Sequence, residues 1–506
     1  MLKNLRSTVT PTRNYQLCRA AGLAAAVIAL WLCGCTVGPN YKRPSVEVPT
    51  SFKEAPPQGW KEAAPHDEIA KGNWWEAFGD SQLNDLETQA LASNPTLLAA
   101  VARVTQARAS VRITRADLFP TVNLDPSAGR ARESGTRPNP PGFSGGAFTA
   151  NTITLPLDVS YEVDLWGRVR RSVESARAQA QASQADYENI LLTLKSDVAQ
   201  NYFSLRYVDV DRGILRDNIE LLKKALELTQ VRHSGGVASG LDVSEAETLL
   251  ATTQATYAGL GVQRAQFEHA LAVLVGKPAS DFSVPEKALI LEPPAIPAGL
   301  PSDLLERRPD IAEAERLMAS ANAQIGVARA AFFPSLNLTG SAGYLSDDLL
   351  KLSNLSSTVW SVAAGASQPL YAGGRISANL VRARAAYDES VANYRQQVLV
   401  AFQEVEDGLS GLRVLEEQEA AQNKAVESSK RTFDISTSRY KEGLANFLEV
   451  IDAERTVLAN SQESAQLREL RLLTTVQFIK ALGGGWQESK IYSDSQAPAN
   501  SSQPSH

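Results

Sequence analysis

Cysteine is nearly absent. The 506-residue chain has three, Cys18, Cys33 and Cys35. Removal of a leader ending before Cys35 would leave one, which excludes an intrachain disulfide. Histidine is as scarce: four residues, scattered, with no cysteine cluster beside them. No metal constellation of recognised spacing can be drawn from that set. No Gly-rich phosphate loop or nucleophile elbow stands in a fitting context, so nothing points to an enzyme. Glu404 and Asp407 share a helix face, but carboxylates on a long helix are ordinarily a solvated face. Excess positive charge is lacking too. The chain sets 50 Lys and Arg against 56 Asp and Glu, a net of −6, which gives nucleic acid no electrostatic footprint. The apolar run at 20–32 has 13 residues, where a membrane-spanning helix needs about 20.

What is there begins with a leader. Lys3, Arg6, Arg13 and Arg19 precede the short apolar run, in the order of a signal peptide covering 1–34. It ends Leu32-Cys-Gly-Cys35, which resembles the lipobox of bacterial lipoproteins. That resemblance implies cleavage before Cys35, an S-diacylglycerol on its thiol and an N-acyl group on its amine. Two or more acyl chains anchor stably where one does not. Thr36 follows instead of an acidic residue, which within that resemblance favours the outer membrane. Residues 35–80, Pro-rich with Trp60, Trp74 and Trp75, read as an extended lipidated arm.

A helix is expected from residue 81 to Leu118, stopped by Phe119-Pro120. Then Ile153, Leu155, Leu157, Val159, Tyr161, Val163 and Leu165 alternate with polar residues and Pro156. This period of two is long enough for a tilted membrane strand of about 9–11 residues. Asp158, Glu162 and Asp164 on the other face favour a wet interior over a soluble core. A shorter partner strand is expected near 119–130, with an exposed loop over 131–151. From Arg168 to about His233 there is no proline. Such a helix would reach roughly 100 Å at 1.5 Å per residue. A second helix is expected from Leu241 to Val275.

The chain then repeats itself. Residues 115–129 match 329–343 at an offset of 214, and Gly167-Arg168 through Gly276 match Gly374-Arg375 through Gly483 at 207. An offset held over more than 100 residues indicates duplication. The first unit is 81–276, a Pro-rich crossover linker 277–301, and the second unit 302–485. The tail, 486–506, has a composition that predicts disorder. Leu444, Ile451, Leu458, Ala465, Leu472 and Ile479 recur every seven residues, a coiled-coil seam.

Two stretches, 232–247 and 439–454, break the long helices at equivalent points. In the second, Gly443 ends one helix and Asn446 opens the next, with Glu449 three residues on for a capping box. Glu449 and Asp452 share a face. In the first, Ser239 and Asp242 look like a cap. All four acids, Asp242, Glu245, Glu449 and Asp452, lie in first turns, where the helix dipole favours them.

Four membrane strands per chain cannot close a barrel, and an open edge is not tolerated in lipid. Two copies give eight strands, an interior filled by side chains; three give 12, with room for a lumen. The rods would continue that wall as a helical tube.

Several motifs then carry a family resemblance. They are Cys35-Thr-Val-Gly-Pro-Asn-Tyr-Lys-Arg-Pro44, Leu118-Phe-Pro120, Asp164-Leu-Trp-Gly-Arg168, the run from Gly299 to Asp310, Ala331-Phe-Phe-Pro334, Phe402 to Gly408 and Lys480 to Trp486. The chain resembles the outer membrane factors of tripartite efflux and secretion systems, the TolC/OprM type, in the lipoprotein branch. The resemblance implies an α+β membrane protein built of duplicated strand–strand–long-helix hairpin units. It implies a homotrimer with a 12-stranded β-barrel continued by a periplasmic α-helical barrel, shut at its far tip. It implies a periplasmic adaptor and an inner-membrane pump as partners, outer membrane lipid around the barrel, and drug-like or other small molecules as cargo. Protein export and a trimeric surface lipoprotein are the alternatives. Matched residue by residue, the tyrosine that locks the tip falls on Tyr440, its cross-chain acceptor on Asp242, and the acidic residues on Glu449 and Asp452. Glu245 is the repeat mate of Asp452 and His233 that of Tyr440. The arginine that locks some members falls on Ala445, so that element is missing.

Overall fold

The computed structural model describes residues 36–45, 49, 51–54, 73–136, 146–288, 291–294, 296 and 307–484. The expected signal peptide, the lipidation site Cys35, much of the arm and linker, and the tail at 486–506 lie outside the described residues. In chain order the elements are α1 (Ser81–Ser93), α2 (Pro95–Ala116), β1 (Thr121–Leu124), β2 (Ser127–Glu133), β3 (Phe148–Val163), α3 (Arg168–Ser234) and α4 (Gly240–Leu274). The second half gives α5 (Pro309–Ala330), β4 (Ser335–Ser346), β5 (Thr358–Ser367), α6 (Arg375–Lys441) and α7 (Phe447–Ala481). The duplication is kept in length. Helices α2 and α5 each have 22 residues, α3 and α6 each 67, and α4 and α7 each 35. Two compact units result: residues up to 44 with 106–180 and 316–392, and residues 45–105 with 181–315 and 393 onward.

The first unit holds the sheet. It is antiparallel, with β3 paired to β4, β4 to β5, and both β1 and β2 to β3. Leu124 stands opposite Leu157 and Ser127 opposite Thr154, so β1 and β2 keep one register. They are one strand interrupted at Pro126, which has no N–H to give the ladder. Asp125 still donates to the Pro156 carbonyl at 3.3 Å. The described residues thus carry four strand runs, the expected number. The loop expected over 131–151 is shorter, because β2 continues to Glu133 and β3 begins at Phe148. Backbone pairing extends both strands through residues without apolar alternation.

Directly paired residues point to one face of a sheet. The register therefore gathers Val122 and Leu124 with Leu157 and Val159, then Leu338 and Tyr344, then Trp360 and Val362. The other face collects Asn123, Asp158, Glu162, Asn337, Thr339 and Ser361. The apolar face is open: Trp360 is 77% and Val362 80% exposed. Outside the sheet, no described helix is long and apolar enough to cross a membrane.

In the second unit the helix ends explain the layout. The helix expected over 81–118 is broken at Asn94, because Pro95 cannot donate and forces the residue before it into extended geometry, here ψ 122°. Asn94 uses the break. Its Oδ1 accepts from Leu97 N at 3.0 Å, and its Nδ2 donates to the last carbonyl of α4, Leu274, at 2.8 Å. In the second repeat Arg308 does the same for α7, donating to Ala481 O at 3.1 Å. Beside each tie a glycine closes the helix. A Cβ on Gly276 would meet Ser93 O at 2.4 Å, and one on Gly483 would meet Arg307 O at 2.5 Å. Both have positive φ, 72° and 85°, which glycine alone adopts without strain. The heptad seam of α7 is buried at Ile451, Ala465, Leu472 and Ile479. Leu444 falls outside the helix in the turn and is 66% exposed, so the seam starts one heptad later than its spacing suggested.

The core of this unit joins Trp74, Trp75 and Phe78 to Leu83 and Leu86 of α1, Tyr202 and Phe203 of α3, Leu409 of α6 and Phe478 of α7. Asp80 caps α1 through Gln82 N and Leu83 N and accepts from the Tyr202 hydroxyl at 2.8 Å. One group sits badly. Glu87 is fully buried, and neither carboxylate oxygen has a hydrogen-bond partner. Burial pushes its carboxyl up to about 9, against a smaller opposing pull from Lys195. Folding therefore takes up a proton here, and the stability this brings fades as pH rises toward 9. Glu87→Gln should leave unfolding of the detergent-solubilised protein nearly unchanged near pH 4. It should stabilise the protein by about 1–3 kcal/mol near pH 9, measured as the urea midpoint at the two pH values.

Candidate functional site

The candidate site is the pair of helix-to-helix turns in the second unit. Both first helices stop in the same way. Val237 N donates back to Arg232 O and Leu444 N to Arg439 O, each at 2.9 Å. Gly236 and Gly443 take positive φ, 73° and 78°. This is the Schellman closure, which gives orphan carbonyls a donor. The restarts differ. Ser239 and Asp242 form a full capping box: Asp242 N donates to Ser239 Oγ at 3.2 Å and Ser239 N to Asp242 Oδ2 at 2.9 Å. Asn446 accepts from Glu449 N at 3.0 Å, but Glu449 does not return the bond. Its Oε2 lies 3.8 Å from Arg439 Nη1 instead, with both side chains about half exposed. The expected box at Asn446 is therefore half formed, and the exposed ion pair contributes little.

The two turns are stitched by one apolar cluster. Leu222, Ala246 and Leu249 come from the first hairpin, and Tyr440, Phe447, Val450 and Ile451 from the second. The rings of Tyr440 and Phe447 lie 5.3 Å apart at 50°. The Tyr440 hydroxyl is buried and has no hydrogen-bond partner. The Arg232 guanidinium stands 4.5 Å from the centre of the Tyr440 ring.

Of the residues singled out by sequence, Glu449 and Asp452 are exposed on α7, Asp242 and Glu245 half-buried on α4, and Tyr440 buried between hairpins. Within one chain Tyr440 and Asp242 are not joined, and the Asp242 carboxylate is engaged by Ser239. His233 is exposed, with Nδ1 2.9 Å from Ala238 O. Sequence reasoning passed over Glu454. It is only 6% exposed, and Asn218 Nδ2 donates to its Oε1 at 3.1 Å. Burial pushes its carboxyl up to about 7, with the Asn218 bond pulling the other way. Its repeat mate Glu247 is exposed, so the repeat held no sign of this. Val237, Leu241 and Leu444 were also passed over. They are 69%, 66% and 66% exposed, apolar side chains turned outward around the turns.

The geometry is that of two pseudo-equivalent, acid-bearing helical tips in a chain that also carries an amphipathic sheet. The profile of the family described as "Outer membrane efflux protein" matches residues 86–277 and 300–484. The chain belongs to the outer membrane efflux protein family. It is 34% identical over 476 residues, 92% of this chain and 97% of the relative, to the pyoverdine export outer membrane protein OpmQ of Pseudomonas aeruginosa. It is 33% identical over 465 residues, 91% and 98%, to the cation efflux system protein CusC of Escherichia coli. The solved outer-membrane channel OprN matches with a TM-score of 0.83 at 32% identity, covering 90% of this chain and all of that one. The chain is therefore an outer membrane efflux channel subunit sharing the fold of those channels, and its relatives are channels rather than enzymes.

Glu454 gives the tips a pH dependence. A carboxyl held up near 7 stabilises the fold below the unfolded value of 4.5, and that contribution is lost as pH rises through 7. Glu454→Gln should slow amide exchange in the first turns of α7 at about pH 8, by several-fold, and change it little at about pH 5. Equal effects at both values would contradict the assignment.

Proposed function

We propose that three copies of this chain pool their strands into one 12-stranded barrel and that the long helices continue it as a periplasmic tunnel gated at the tips. The observation that carries this is the sheet. It has one continuous apolar face, a polar opposite face, and two edges, β1/β2 and β5, with no partner strand among the described residues. Hydrocarbon does not tolerate unpaired backbone groups, so the edges must meet edges of other copies, and four strands per chain make three copies the smallest assembly with a lumen. The apolar face then meets outer membrane lipid. Asp158, Glu162, Asn337 and Thr339 face the water-filled interior.

The gate reading assigns Tyr440, Glu449, Asp452, Asp242 and Glu245 to the closed end. Threefold symmetry gathers Glu449 and Asp452 into carboxylate rings, which favour cations over anions. The unpartnered Tyr440 hydroxyl is supplied with an acceptor by the neighbouring copy, with Asp242 in that role. The exposed Val237, Leu241 and Leu444 offer an apolar rim to a periplasmic adaptor, which in turn holds the inner-membrane pump. Adaptor docking splays the hairpins and opens the constriction. Small molecules, the class to which pyoverdine belongs and to which toluene efflux by a further relative points, are the cargo. The pump, rather than this chain, selects among them. Cys35 carries the S-diacylglycerol and N-acyl lipid.

Two measurements test this. Single-channel conductance in planar bilayers should rise in Asp452→Ala and Tyr440→Phe relative to wild type, and wild-type-like conductance in both variants would overturn the gate. Metabolic labelling with a fatty acid should mark the wild type and be lost in Cys35→Ser. A labelled Cys35→Ser protein would remove the lipid from that residue.

A further inference from the structure

Tyr440 sits where two hairpins meet. Its own hairpin supplies Phe447, Val450 and Ile451, and the other supplies Leu222, Ala246 and Leu249. Apolar contact is non-directional, so it seats the ring without fixing it. Arg232 provides direction. It belongs to the last turn of α3, in the first repeat, and makes two contacts with one residue of the second. Its guanidinium lies 4.5 Å from the ring centre, and its Nη1 donates to the Tyr440 carbonyl at 3.1 Å. That carbonyl is among the last of α6, where helix acceptors lack intrahelical donors and a cation is favoured. A planar guanidinium can stack on a ring and donate from its edge at once, which an ammonium cannot.

The contact is made once, although the chain is duplicated. By the repeat offset Arg232 corresponds to Arg439, and Tyr440 to His233. Arg439 lies 3.8 Å from Glu449 of its own hairpin, and His233 turns to Ala238 of its own turn. Both repeats keep the arginine, and only the first repeat's reaches across.

We infer that Arg232 is a positioning residue of the gate: it clasps Tyr440, and with it the α6–α7 tip, to the α3–α4 tip, so that opening requires release of this clasp. The inference rests on the gate reading above. It also supplies a same-chain counterpart to the locking arginine absent at Ala445. Parting the tips lifts the ring from the guanidinium and breaks the bond to the carbonyl. One stack and one hydrogen bond together bias the closed state by about tenfold, which a docking partner can overcome.

The test is single-channel recording on the full-length protein in planar bilayers, with thermal melting alongside. Arg232→Gln should raise the open probability about tenfold. Arg232→Lys, which keeps a charge near the helix end and loses the stack, should raise it less, and it carries the same test if Arg232→Gln fails to assemble. Tyr440→Phe keeps both ring and carbonyl, so Arg232→Gln should add its full effect in that background. In Tyr440→Ala, which keeps the carbonyl and loses the ring, it should add only the smaller hydrogen-bond share. That pattern of coupling is specific to the contact, and general loosening would not produce it. If Asp452→Ala or Tyr440→Phe opens the channel while both Arg232 variants gate like wild type, even with a lowered melting temperature, the gate stands and the clasp is overturned. If no variant changes conductance, the gate reading falls and takes the clasp with it.

Discussion

A β-strand in hydrocarbon must have every backbone N–H and C=O paired. In the assembly proposed above, that requirement makes a sheet of four strand runs incomplete by itself and turns both outer strands into joints. The ladder nonetheless accommodates Pro126 and Pro156. Each lacks a donor, yet the ladder keeps its register on either side, and Asp125 bridges the gap to Pro156 O. The apolar face needs no core of its own. In the proposed barrel the solvent of the exposed Trp360 and Val362 is lipid rather than protein.

Outside the sheet the organising device is duplication held by helix ends. Three helix lengths recur to the residue in the two halves. Each long hairpin is fixed where it closes by a glycine that lets the backbone of a preceding break approach, and by a side chain that reaches the last carbonyl. Asn94 serves one half and Arg308 the other. The chemistry differs while the bond is the same. Arg308 brings a charge that Asp310 and the exposed Glu404 neutralise, so the second repeat carries a buried arginine with two carboxylate partners where the first has an amide. The tips follow the same rule of shared geometry and divergent detail: a full capping box at Ser239, half of one at Asn446.

Much of this was legible in residue order. The alternation from Ile153 to Val163 announced β3, and the scarcity of proline announced the two rods. The repeat offset predicted that the tips would be equivalent. What escaped reading depends on partners far away in the chain. Arg132 and Glu133 have no strand pattern, and they lie in β2 because they pair with Thr149 and Phe148 at the start of β3. Proline 95 was present in the sequence but was passed over, since an alanine-rich helix continues on both sides. The clasp of Arg232 on Tyr440 joins residues 208 positions apart, and no local periodicity encodes it. Glu454 looks like any acid of an exposed helix face until Asn218 and its burial are seen. The sequence therefore reported the frame and the caps of the site well, and the contacts between hairpins poorly.

The start of the described chain has a mechanical meaning. Thr36 is pressed against Gly167, where a Cβ would come within 2.7 Å of its methyl, and Val37 N is bonded to Trp166 O at 3.0 Å. The described arm is thereby sewn to the turn between β3 and α3. Gly167, left-handed at φ 80°, must stay bare for Thr36 to lie there. A pull on the arm at Thr36 is delivered straight to the root of the rod α3.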